Sequence, residues 1–216
     1  MTAELLKDFE DLHTFCELVS IALDEDGPSQ VATNDKAALI CLDIALEHLK
    51  SMTQIAAKQR FATIAALLRV VIDAWTRHHY LHFCVQPDEV EGLLQRDLFP
   101  RVDDMVKAIE RVAEEPDSGW AETAVEMMGA AWKDPNQLHS FTHTGTYAIL
   151  MRSGDNGEVI HQSGEEEIDA LLAQVKSLVI GVVAGILDLY GSDTLAQKVA
   201  PGLEQVVGAE SDKDGA

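Results

Sequence analysis

Basic residues are scarce in this chain: 16 Lys and Arg stand against 37 Asp and Glu, a formal net charge of −21. Such a field repels phosphate backbones at long range, which excludes a general nucleic-acid binder and DNA in particular. It leaves room for a local arginine holding one phosphate. Cysteine is scarce too. Cys16, Cys41 and Cys84 are odd in number, widely spaced and each in an apolar setting, so they read as reduced core thiols of a cytoplasmic protein. No basic stretch with an apolar core and cleavage site opens the chain, so no signal peptide is expected. The longest unbroken apolar run, Leu178 to Leu187, falls short of the roughly 20 residues a membrane span needs, and the expectation is a soluble protein. A glycine-rich phosphate loop, a CxxC pair, a nucleophile elbow and internal repeats are all missing.

What is present is helical periodicity. With 47% hydrophobic residues in 216, the chain can bury a core without staples, and it reads as one domain over 1–207 with an acidic, disordered tail over 208–216. Apolar residues recur at steps of three and four from Ala3 to Leu23. Asn34 or Asp35 can cap a second helix from Lys36 to about Lys58, with His48 on its inward side. Phe61 to Val85 is apolar nearly all round and reads as the central helix. Shorter helices follow at 88–96, 102–115 and 120–132. An extended piece over Glu158–Gln162 precedes a long helix from the Ser163/Glu166 capping box to Tyr190, in which Gly181 and Gly185 permit close packing. Beyond Gly191 only a short helical turn is expected. The fold class is all-α, a multi-helix bundle of about seven to nine helices.

Two stretches carry the polar exceptions. On the central helix, Arg69, Asp73, Arg77 and Tyr80 share one narrow sector at 100° per residue, with His78 and His82 roughly opposite. Buried charge must be paired, so the row is either an ion network that fixes packing or a holder for a ligand's carboxylate or phosphate. His78, His79 and His82, beside Trp75, Tyr80 and Phe83, read as buried or interface histidines. The second stretch is DPNQLHSFTHTGTYAILMR, from Asp134 to Arg152. Asp134 and Pro135 start a helix, His139 and His143 project from one face, Thr142 and Thr146 lie beside them, and Gly145 admits a close approach. His143 has the right chemistry for a general base or acid, with Arg69 or Arg77 to stabilise developing charge. The reading places this segment inward against the Arg69 row.

His48 with His139 and His143 resembles the metal-site pattern of the DinB-like helical bundles, in which one early histidine joins a late HxxxH followed by glycine; three imidazoles and a water would suit zinc or nickel. LLRVVIDAWTRHHYLHFC, SFTHTGTYAILMR and VIHQSGEEEIDALLAQVKSLVIGVVAGIL, spanning most of Phe61 to Leu187, resemble an uncharacterised bacterial helical family of the wider HEPN-like superfamily. That resemblance implies a homodimer without cofactors, and for many relatives a metal-independent ribonuclease, toxin or phage-defence activity. The HEPN motif sets an arginine five or so residues ahead of the histidine; this chain has Leu138 there, so Arg69 or Arg77 would have to stand in. Three readings therefore stay open. A degenerate HEPN-like enzyme would use Arg69, Arg77 and His143 for chemistry, with Asp73, Tyr80, His139, Thr142 and Gly145 holding RNA or a nucleotide-like ligand. An interaction or regulatory protein would form a homodimer without chemistry, and a metalloprotein would use His48, His139 and His143.

Overall fold

The computed structural model describes residues 2–25, 32–58, 60–96, 98–115, 120–131 and 165–208. Among them are eight helices and no strand: α1 (Ala3–Glu25), α2 (Thr33–Ala56), α3 (Phe61–Cys84), α4 (Val90–Arg96), α5 (Val102–Ala113), α6 (Trp120–Ala131), α7 (Glu165–Tyr190) and α8 (Asp193–Gly208). The all-α bundle expected from periodicity is the fold observed. The stretch from Asp134 to Arg152, the extended piece at 158–162, Ser163 and the tail beyond Gly208 lie outside the described residues.

Helix α1 starts where Thr2 Oγ1 accepts the Leu5 N–H at 3.3 Å, and Phe9, Leu12, Cys16 and Val19 carry its stripe into the core. Helix α2 pairs most extensively with α3, and α7 touches α1, α2, α3, α6 and α8, so α3, the central helix the sequence indicated, shares the centre with α7. Cβ atoms on Gly185 would meet His78 Nε2 at 2.9 Å, which is why α7 needs a glycine against α3. Gly191, at φ +55°, ends α7 in the left-handed conformation and donates its N–H to the Leu187 carbonyl at 3.1 Å.

Two expectations about helix ends fail. Neither Asn34 nor Asp35 caps α2: the helix opens at Thr33 behind Ala32, which makes no side-chain cap, and the Asp35 carboxylate is spent elsewhere. After Gly191 the described residues form a 16-residue helix, Asp193–Gly208, rather than a short turn. Ser192 caps it through the Leu195 N–H at 3.2 Å, and Leu195, Val199 and Val206 bury themselves. Pro201 is accommodated inside it, and Gly202 presses so near α1 that a Cβ would sit 2.5 Å from the Phe15 ring. Finally, Ile168–Tyr190 is long and apolar enough to cross a membrane, although no unbroken apolar run reaches that length. More than half of its most apolar window is covered by the other helices, as in a core helix.

Candidate functional site

Helix α3 carries chemistry on two faces. On the inner face His78 and His79 are 1% and 0% exposed, and none of their ring nitrogens makes a well-formed hydrogen bond among the described residues, the Ala38 backbone lying near His78 without proper alignment. The rings are held by other rings. His78 lies 4.5 Å from His79 between centroids, Trp75 meets His79 edge-on at 4.9 Å, and Phe83 stacks on His79 at 5.8 Å. Burial disfavours the imidazolium, and the neighbouring histidines add repulsion. His78 is therefore pushed well below its ordinary range, against a weak opposing pull from the Ala38 backbone, and His79 down to about 3. Both are neutral, enclosed imidazoles.

One turn on, His82 reaches the rim. Its Nδ1 lies 2.7 Å from Asp35 Oδ1 at the start of α2, and its Nε2 lies 3.8 Å from Asp188 Oδ2 near the end of α7. A carboxylate only accepts, so Nδ1 carries the proton toward Asp35. His82 also stays parallel to His78 at 6.2 Å, extending the ring stack outward. This three-helix clamp joins residues 47 and more positions apart and was not among the candidates read from sequence. The available hints were Asp188, the one acid in the apolar second half of α7, and a histidine on an apolar face.

The opposite face holds the Arg69 row. Arg69 Nε is 3.3 Å from Asp73 Oδ1, close enough for an ion pair but misaligned, since that oxygen receives no properly directed hydrogen bond. Arg77 makes no ion pair among the described residues; its guanidinium lies 4.7 Å from the centre of the Phe99 ring. Tyr80 is half-buried, and burial raises its hydroxyl, helped by Cys84 and Glu89. The row is thus a half-buried rim and not a polar niche inside the bundle.

His139, Thr142, His143 and Gly145 lie outside the described residues, so the structure does not join them to Arg69 or Arg77. His48, expected to point inward, is half-exposed beside the exposed Ile44, because its position on α2 falls between the buried stripe and solvent. No group of three or more His, Cys, Asp or Glu able to hold a metal occurs among the described residues. The cysteines offer no nucleophile: burial pushes the Cys16 thiol up to about 12 and those of Cys41 and Cys84 to about 11, despite a small opposing effect of Lys50, Arg77 and Arg111 respectively. All three are free.

Fold and site together define an all-helical bundle whose central helix has a sealed histidine face and a half-buried arginine rim. The chain belongs to the family described as a family of unknown function (DUF6988), whose model matches residues 42–202, from within α2 to within α8. No curated protein and no solved structure matches it.

Proposed function

We propose that this protein is a HEPN-like helical module of the cytoplasm that works by associating with other protein chains, a second copy of itself included, and not by chemistry on its central helix. The observation that carries this reading is the state of the α3 side chains. His78 and His79 are enclosed and neutral, Arg69 faces Asp73, and the thiols beside them stay protonated. General acid–base or nucleophilic work needs an accessible group matched to the working pH, and these are not. The three free cysteines suit a reducing compartment.

A second reading has one specific observation in its favour. Arg77 lacks a carboxylate partner among the described residues, in a chain with 37 acids, and the Phe99 ring holds its guanidinium in place. Such an arginine suits an anionic ligand, RNA or nucleotide-like, with His143 as the acid–base partner. One experiment separates the two. Purified protein is incubated with RNAs of mixed sequence while light scattering reports its mass. Intact RNA and a dimeric mass are expected; RNA cleavage that disappears in Arg77→Ala establishes the second reading and removes the first.

A further inference from the structure

Four of the eight large apolar side chains exposed among the described residues sit on the first two helices: Leu18 and Ile21 on α1, Ile40 and Ile44 on α2. Ile21 and Ile40 are each 54% exposed and Ile44 41%. The helices run antiparallel, as the bonds from His13 to Thr53 and from Lys50 to Ser20 and Glu17 require. Taking 100° per residue, Ile21 on α1 and Ile40 and Ile44 on α2 all point away from the buried stripes Leu12, Cys16, Val19 and Leu42, Leu49, Met52. The hairpin therefore turns these three side chains outward as an aliphatic band broken at the α1–α2 seam by the Glu17–Lys50 pair.

The charge around the band identifies what can cover it. Helix α1 carries seven acids and one lysine, and α2 three acids and two lysines. Lys7 is engaged by Asp11, and Lys50 by Glu17 at 3.0 Å. Exposed Glu47 and Asp43 flank Ile40 and Ile44, and exposed Glu10 and Asp24 flank the α1 side. A second copy docking here would set Glu10, Asp24, Asp43 and Glu47 against the same acids of its neighbour, and like charges at an interface are unfavourable. A helix with aliphatic residues on one face and Lys or Arg along its edges meets both the band and its border.

We infer that the outer face of the α1–α2 hairpin is the docking surface for a basic amphipathic helix of a partner protein. This rests on the association reading above and names the partner chemistry. The probe is a synthetic peptide of Leu and Lys at helical period, about five turns long, measured by fluorescence anisotropy against the full chain. Ile21→Asn with Ile44→Asn should weaken binding about tenfold or more, and Glu47→Lys should weaken it with the apolar band intact, whereas Leu94→Asn, at an exposed apolar site elsewhere, should leave it unchanged. A scrambled peptide of the same composition should bind about tenfold more weakly. All four positions are exposed, and circular dichroism checks that the bundle survives each change.

Equal affinity for wild type and the double variant, or for ordered and scrambled peptides, overturns the inference. If instead the double variant turns a dimer into a monomer by light scattering, the face belongs to a second copy: the inference falls and the association reading stands. A monomer that ignores the peptide and cleaves RNA removes both.

Discussion

The two faces of α3 show how differently one helix can treat polar groups. On the inner face His78 and His79 are enclosed by rings, unbonded and neutral; on the outer face Arg69, Asp73, Arg77 and Tyr80 keep their charge or hydroxyl at a half-wet rim. All six are polar in sequence. What separates them is that an imidazole can shed its charge and persist in a dry core at the cost of an unmet hydrogen bond, whereas a guanidinium cannot. The inner face should therefore respond strongly to acid and to volume, and the outer face only weakly to the loss of single charges.

The largest contrast is with pH. His78 and His79 have folded-state pKa values far below the unfolded value near 6.5, so the unfolded chain binds more protons as pH falls and stability is lost. Their stabilising contribution is complete above about pH 6.5 and declines below it. At pH 5 neutral His79 costs the fold about 2 kcal/mol relative to pH 8, and His78 adds to the loss in the same direction. Urea titrations at the two pH values should show that loss in wild type, and His79→Phe should recover about 2 kcal/mol of it. If His79→Phe keeps the full acid sensitivity, His79 is not the sealed neutral group described here.

Volume comes next. A Cβ at Gly185 would stand 2.9 Å from His78 Nε2 and 3.3 Å from Leu42 Cδ1, and the His78 ring cannot retreat far because His79 and His82 flank it. Gly185→Val should destabilise by about 1–3 kcal/mol, by overpacking. Gly185→Ala should cost less, since alanine regains about 1 kcal/mol of helix propensity. A thermal melt that places valine at or above wild type would show that α7 and α3 are not in contact at this point.

These contrasts also explain what could be read before any coordinates. The bundle was legible because Leu5, Phe9, Leu12 and their counterparts repeat at helical steps, and the same arithmetic sorted the Arg69 row from His78 and His82. The Arg69–Asp73 pair is an i, i+4 relation and needs no tertiary information. Helix α8 was expected only as a short turn, although Leu195, Val199 and Val206 keep a helical spacing across Pro201 and Gly202. There the close approach to Phe15, a tertiary fact, decides what the glycine is for. Asp35 was read as a cap because capping is local, while its real partner is His82, 47 residues away. The histidine and threonine segment from Asp134 to Arg152 lies outside the described residues, so the pairing of His143 with an arginine stands as sequence reasoning alone.

The smallest effect is the one that tests whether the rim clamp differs from an ordinary surface pair. His82 and Asp35 join two helices through a charge-capable bond of 2.7 Å, both groups being about three-quarters buried. Arg69 and Asp73 meet along a single helix at 3.3 Å with poor alignment. A double-mutant cycle using Asp35→Ala and His82→Gln should give a coupling of about 1 kcal/mol, as for a well-formed hydrogen bond to a charged group in partial burial. The matching cycle with Arg69→Ala and Asp73→Ala should give about 0.3–0.5 kcal/mol, and less in high salt, because an intrahelical pair at a wet rim is screened and orders two flexible side chains. The cycle is needed because each single change also disturbs other contacts of the same side chains. A larger coupling for Arg69 and Asp73 would reverse the assignment, making the arginine rim the structural fastener and leaving His82 with its two carboxylates as the more loosely held group.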